Sequence, residues 1–426
     1  MAFVMGFKKE LGLFTAISLG IGGILGAGIF VLSGVAISQA GPAALLSFLI
    51  GATLSLMIGF AYVELSKAYP GQGGAYDYAR LSRGPNYGFF TGWIYLGAWV
   101  IASGYVTLGF GEYMSELTGF PAVPIGILLI VVLAIMNLLG VRISSAFQLG
   151  LIVSELILLF IVIAISFAKV DFSNLTPFVP NGPFAVISAS LLGFLSLTGW
   201  DVIAVASKEI KNAGRNVPLA IFISIITVSI IYIGLIFVMT GILPYQAYEN
   251  EAAPVVVAVS KVLGNRLSTI IIALIVSIAL AATANAFIMV TSRTLYSLSE
   301  EGHVPKIFSK INARGVPWVS VIAVNLLKIG VLIFGNLYLY AQGTGFLYLS
   351  SFILTLLCLP PFNKNYKRKI SLIRKLIIVF SVLLSAFVLV NNSTEGIIYG
   401  FVWMIIGCIA FFLTKKMSTD RKTTDL

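Results

Sequence analysis

Apolar residues in this chain neither alternate with polar ones at the period of a strand nor keep to one face of a helix. They run for about 20 residues at a stretch, with polar clusters confined to the gaps, which is the length a helix needs to cross about 30 Å of hydrocarbon. The pattern predicts helices near 13–38, 42–66, 86–115, 122–140, 146–168, 184–207, 217–242, 268–296, 317–335, 337–359, 371–391 and 396–413. That is an all-α polytopic membrane protein with twelve transmembrane helices and both chain ends on one side. The fifteen prolines lie at or near the predicted ends, among them Pro42, Pro70, Pro121, Pro183, Pro218, Pro317 and Pro360. Proline punctuates here because inside a span it would forfeit a backbone hydrogen bond.

Composition agrees: 59% of residues are hydrophobic and only 10% are charged, with a mean hydropathy of +1.02. Such a chain has too little polar surface for a soluble enzyme. The net charge of +11 raises nucleic acid as a partner, but its distribution points elsewhere. With the N-terminus placed in the cytoplasm, 23 of the 27 basic residues fall on the cytoplasmic side, from Lys8 and Lys9 to Lys415, Lys416, Arg421 and Lys422. Only Lys169, Lys261 and Arg266 fall outside, and Lys328 lies within a span. This is the positive-inside bias, so the charge reads as orientation in a plasma membrane, with the lipid bilayer rather than nucleic acid as partner. The basic start leads directly into a full-length run, so no cleavable signal is expected. Cys358 and Cys408 sit in apolar runs, and His303 is the single histidine. They imply no disulfide framework, metal site or cofactor.

Two spans break the rule that apolar runs should be good helices. The first contains "GGILGAG", Gly22 to Gly28, and the sixth contains "GFLSLTGWDV", Gly193 to Val202. Glycines here serve either close helix packing or local unwinding. Unwinding bares backbone N–H and C=O groups that lipid cannot satisfy, so it is tolerated only where those groups line a cavity or bind something. N–H groups at a restarted half-helix suit an anion, and the carbonyls of the half before it suit a cation. A small zwitterion would engage both. The two spans lie five apart, as equivalent elements of a five-plus-five inverted repeat would, and interrupted spans in matching positions point to a transporter site.

Four stretches together resemble the amino acid–polyamine–organocation transporters, in particular prokaryotic amino acid permeases with the LeuT-type fold. They are "GIGGILGAGIF" from Gly20, "AYVELSKAYPGQGGAYDYARLSRG" from Ala61, "GFLSLTGWDVIAVASKEIKNAGRNVPLAI" from Gly193, and "TSRTLYSLSEEGHVP" from Thr291. The resemblance covers about the first 320 residues. It implies a first repeat (1–168, helices 1–5), a second inverted repeat (184–359, helices 6–10), peripheral helices 11 and 12 (371–413) and a cytoplasmic tail (414–426). It also implies a substrate carboxylate held by the amides of Gly26, Ala27 and Gly28, and an ammonium held by carbonyls near Ile24, Leu195 and Thr198. Gly199 belongs to the sixth-helix break, and Trp200 is expected beside it as wall or gate. Leu195 stands where relatives that carry cationic amino acids have tryptophan, which weakens the case for a cationic substrate.

The remaining chemistry lies in a few ionisable groups. Glu155 is about 13–14 Å into the fifth span, near the midplane, where an ionised carboxylate costs about 2.5–3.5 kcal/mol. It occupies the position where proton-coupled relatives carry lysine. Its expected role is to carry a coupling proton, with sodium ligation or a structural hydrogen bond as alternatives. Ala281 and Ala282 replace hydroxyls of sodium-coupled relatives and leave Thr283, which disfavours sodium. Asp201 is a possible gate or a helix cap. Lys328 is expected to be peripheral, snorkelling to the interface. Glu64 and Arg293 are expected in solvated loops, with an intracellular gate pair as the alternative. The expected function is secondary active transport of neutral amino acids by alternating access, proton-coupled. Amino acid exchange, sodium symport and a non-transporting sensor are the alternatives. An enzyme is disfavoured for want of a catalytic cluster, and no obligate protein partner is implied.

Overall fold

The protein is described from a computed structural model, which covers residues 11–69, 74–140, 145–208, 210–249, 251, 253–264, 266–360, 362–366 and 368–424. The basic residues Lys8, Lys9, Arg142 and Lys367, the Pro-Gly stretch 70–73 and Glu209 lie outside these residues. The described chain is helical, without strands: α1 (Leu13–Ile24), α2 (Ala27–Phe30), α3 (Leu32–Ala40), α4 (Ala44–Ala68), α5 (Gly74–Arg83), α6 (Pro85–Thr118), α7 (Ala122–Leu138), α8 (Ser145–Phe167) and α9 (Pro183–Ser196). There follow α10 (Val202–Val205), α11 (Ala213–Ile242), α12 (Pro254–Leu263), α13 (Arg266–Glu300), α14 (Trp318–Phe334), α15 (Leu337–Leu356), α16 (Leu372–Val390) and α17 (Thr394–Thr424). Seven helical segments are long and apolar enough to cross a membrane, and five more apolar helices are shorter, at 10–17 residues. This is a polytopic membrane protein.

The first and sixth predicted spans are each split, into α1, α2 and α3 and into α9 and α10. They lie antiparallel: α3 and α2 pack on α9, while α1 packs on α10. Beside them α4 packs on α9 and α11, and α11 packs on α1, so the two broken rods are embedded in a four-rod unit. A second group, α6, α7, α13 and α14, packs internally and closes the other side. Small residues allow the close approaches. A Cβ on Gly51 would lie 2.3 Å from the backbone of Phe194, and one on Gly111 would lie 2.1 Å from the carbonyl of Ala122. Helices meet backbone to backbone at such points, which is how membrane helices gain dispersion contact without a hydrophobic driving force.

Two elements were not expected. The amphipathic α5 and the apolar α12 both occupy segments read as loops. At 10 residues each, α5 and α12 reach only about 15 Å and cannot span, so the length criterion passed over them. Helix α11 starts at Ala213 rather than 217, which places Pro218 inside its second turn instead of at its end. Helix α17 continues to Thr424, through most of the expected tail.

Two charged residues depart from expectation. Lys328 is buried, 1% exposed on the inward face of α14, and its Nζ has no hydrogen-bond partner. It does not snorkel, because Asn325, Val324 and Leu332 on the same face turn into the second group rather than toward lipid. Glu64 is also 1% exposed, so it is not a solvated loop group, and its partners are Lys67 and Arg374 rather than Arg293. An unpaired buried amine is destabilising. Lys328→Met should therefore raise stability by about 1–3 kcal/mol, read as a higher thermal midpoint of the purified protein; a lower midpoint would show that the amine has a stabilising partner.

Candidate functional site

The site is built where the two broken rods cross. Helix α1 makes its last bond from the amide of Leu25 to Ile21 O, at 2.8 Å. Leu25 is then extended, and Gly26 takes φ 154° and ψ −144°, a conformation that side chains disfavour. The chain re-enters helix at Ala27. In the other rod the helix ends at Ser196, and the turn from Leu197 to Asp201 includes Gly199 at φ +102°. Both glycines also sit at close contacts, Gly199 against backbone and Gly26 against a side chain. A Cβ on Gly199 would lie 2.0 Å from the carbonyl oxygen of Gly23, and one on Gly26 would lie 2.4 Å from Thr283 Oγ1. Packing and unwinding, posed as alternatives for these glycines, therefore coexist: Gly23 and Gly28 close the contact, while Gly26 and Gly199 turn the chain.

Between the breaks is a cavity of about 20 Å³, lined by residues Gly23 to Gly28, Leu195, Thr198, Gly199, Trp99, Ala102, Tyr105, Thr283, Phe287 and Tyr348. That is room for about one ordered water. Of the residues named from sequence, Ile24, Gly26, Ala27, Gly28, Leu195, Thr198 and Gly199 are brought together here. Two of the three carbonyls assigned to an ammonium are engaged in this conformation. Ile24 O accepts from Tyr232 Oη at 3.2 Å, and Leu195 O accepts from the amide of Thr198 at 3.2 Å and from its Oγ1 at 2.7 Å. The rods are pinned further along by Ser196 Oγ, which donates to Gly28 O at 2.8 Å.

Three expectations are corrected or refined by position. Trp200 does not line the cavity: it is fully buried behind it, stacked on Phe352 at 6.0 Å and edge-on to Tyr62 at 5.3 Å. A side chain one residue past Gly199 is turned away by that glycine's positive φ. Asp201 stands at the start of α10 but makes no capping bond; instead Oδ2 accepts from Tyr95 Oη on α6, and Oδ1 is unpartnered. It thus ties the first group to the second across the site. Glu155 lies on the inward stripe of α8 formed by Ile152, Glu155, Leu159, Val162 and Ser166, all buried. Ile152 fits against Gly22 of α1, where a Cβ would be 2.5 Å from its Cδ1. Helix α8 packs on α1 and on α11, the helix whose Tyr232 holds Ile24 O.

The opposite wall was missed from sequence. Trp99, Ala102 and Tyr105 present one face of α6, joined by Phe287 of α13 and Tyr348 of α15; Trp99 is edge-on to Phe287 at 4.5 Å. The signal was present in the run "WIYLGAWVIASGYV", where aromatic and small residues recur at helical spacing. That run is also the most enclosed of the candidate spans, with 89% buried. Periodicity separates buried from lipid-facing positions poorly when every residue is apolar.

The chain matches the family model described as amino acid permease over residues 11–413. It is 26% identical to the branched-chain amino acid permease BcaP of Bacillus subtilis, with 96% of this chain and 93% of that protein covered. It is 30% identical to the methylthioribose transporter of the same organism, over 71% of this chain and 70% of the relative. The gamma-aminobutyric acid permease of Bacillus subtilis is also 30% identical, with 75% and 71% covered.

Gly23→Ala should destabilise the fold by about 1–3 kcal/mol, because its methyl would meet the carbonyl of Gly199 and backbone cannot yield. Gly150→Ala on α8, with open space around it, should be neutral or stabilising by up to about 1 kcal/mol. Thermal melting of the two variants side by side checks the contrast.

Proposed function

Because this chain belongs to the amino acid permease family, we propose that it is a secondary transporter of neutral, apolar amino acids, coupled to protons and working by alternating access. The observation that carries this reading is the cavity between two facing helix breaks, walled by backbone on one side and aromatic rings on the other. The amides of Gly26, Ala27 and Gly28 start a half-helix and have no helical acceptors, so they suit an α-carboxylate. The carbonyls of Ile24, Leu195 and Thr198 suit an α-ammonium once Tyr232 and Thr198 yield. Leu195, Ile24 and Trp99 would meet an aliphatic side chain. The relative aligned along nearly the whole chain is named for branched-chain amino acids, which supports the same choice.

Transport requires the cavity to enlarge, and the pairing of equivalent rods supports a rocking motion. In a five-plus-five repeat α4 corresponds to α11, α6 to α13, and α7 to α14, and each of these pairs packs together. Twelve spans follow if the two broken rods count as one span each and α4, α6, α7, α8, α11, α13, α14, α15, α16 and α17 as the other ten, with both termini in the cytoplasm of a plasma-membrane protein. Asp201 and Tyr95 bridge the two groups and form a gate that parts as they separate. Glu155 carries the coupling proton: it is buried on the stripe of α8 that packs against α1 and α11, next to the first break. Thr283 offers one hydroxyl at the break, too few oxygens for a dedicated sodium site.

Uptake of radiolabelled valine or leucine into proteoliposomes, with and without an inward proton gradient, tests the function; absence of flux in either condition would leave a sensor. Preloaded vesicles test exchange, which predicts flux only with internal amino acid. Glu155→Gln is expected to abolish gradient-driven accumulation while binding stays within a few-fold of the unaltered protein. A variant that still concentrates substrate under a proton gradient would remove Glu155 from the coupling mechanism.

A further inference from the structure

The connection between α15 and α16 carries a charge imbalance that, among the described residues, a single acid, Glu64, offsets. Between Lys364 and Lys375 the chain holds six basic residues, and no Asp or Glu occurs between Glu301 and Glu395. Lys364, Arg368 and Lys369 are exposed. Directly after them Leu372, Ile373 and Leu376 are 71%, 70% and 59% exposed, which in a membrane protein marks side chains that face lipid. The boundary between water and hydrocarbon therefore falls near Ser371. That places the basic cluster at the depth of lipid phosphates.

The cluster also has a fixed base. Arg83 at the end of α5 donates to Leu357 O at 2.6 Å and to Phe362 O at 2.7 Å, and Asn363 donates to Ser82 Oγ at 2.8 Å. Tyr366 Oη donates to Glu64 O at 2.8 Å. Arg374, in the first turn of α16 where a cation opposes the helix dipole, reaches back to Glu64 Oε1 at 3.1 Å. That one oxygen also takes Lys67 at 3.3 Å. Arg374 stays 44% exposed, and Glu64 is its sole acidic partner.

We propose that Lys364, Arg368, Lys369 and Arg374 form a docking surface for the headgroups of anionic phospholipids, and that a docked lipid phosphate takes Arg374 from Glu64. A phosphate at this depth meets several basic groups with no acid between them, and polybasic segments at a membrane border gain about 1 kcal/mol per Lys or Arg from anionic lipid. The exchange would release α16 from the end of α4, a helix that packs against both broken rods and against α11, and so make the local lipid composition a regulator of the bundle.

The test uses the full chain purified in nonionic detergent, titrated with phosphatidylglycerol, phosphatidylcholine or inorganic phosphate and followed by thermal midpoint. Phosphatidylglycerol should raise the midpoint by several degrees, with phosphatidylcholine and inorganic phosphate having no effect at matched concentration. The variant K364Q/R368Q/K369Q should need on the order of 100-fold more phosphatidylglycerol for the same shift. Arg374→Gln should need roughly fivefold more by the same scale, and Glu64→Gln, which frees Arg374, should need less. Equal shifts from both lipids, or from inorganic phosphate, would overturn the lipid surface. An unchanged lipid requirement in both Glu64→Gln and Arg374→Gln would overturn the exchange. None of these readouts involves flux, so their failure is distinct from failure of the transport reading.

Discussion

Within hydrocarbon every backbone amide and carbonyl must find a partner inside the protein, and the rest of this structure follows from where that demand is relaxed. It is relaxed at two places, Leu25–Gly26 and Leu197–Asp201, and these are brought against each other. Each break is sheltered by the other rod, by Tyr232, Ser196 and Thr283, and by the aromatic wall of α6. The four-rod unit exists to hold this crossing. Gly23 against Gly199 leaves no space for a single methyl group, so the crossing distance is set by the backbone itself.

Such tight closure has a consequence for dynamics. A cavity of about 20 Å³ cannot admit an amino acid, and two of the carbonyls assigned to an ammonium, those of Ile24 and Leu195, are occupied by internal donors. On the transport reading proposed above, binding exchanges these internal hydrogen bonds for substrate ones while the wall of Trp99, Phe287 and Tyr348 draws back. Internal donors that occupy the same carbonyls keep the unliganded breaks satisfied, which lets the unwound segments persist in lipid.

The treatment of charge follows the same logic with mixed success. Asp201 is held by Tyr95 and Glu64 by two cations, so each of these two buried acids has at least one donor. Lys328 has none, and the structure gives no compensation for it. Of these three, sequence reasoning recognised Asp201 as a group at the site and misplaced the others. An ionisable residue in an apolar run shows its depth but not its direction around the helix, and direction decides between lipid, core and partner. Trp200 shows a related limit: it follows Gly199 at the break, but its ring packs on Phe352 and Tyr62 outside the cavity lining.

The sequence by itself determined the membrane setting, the order of the apolar rods and the two positions where helix would fail. These depend on transfer free energy and on the local freedom of glycine, both of which are properties of short segments. Only the tertiary structure decided that the breaks face each other, that the second wall comes from α6, α13 and α15, and that Glu64 reaches Arg374 across 310 positions of chain. Those facts depend on rotation and register between rods whose surfaces are apolar all round, so that hydrophobic pattern is the same in every arrangement. The choice among arrangements is made by backbone contact at small residues and by pairing of a few polar groups, and both act only after distant segments have met.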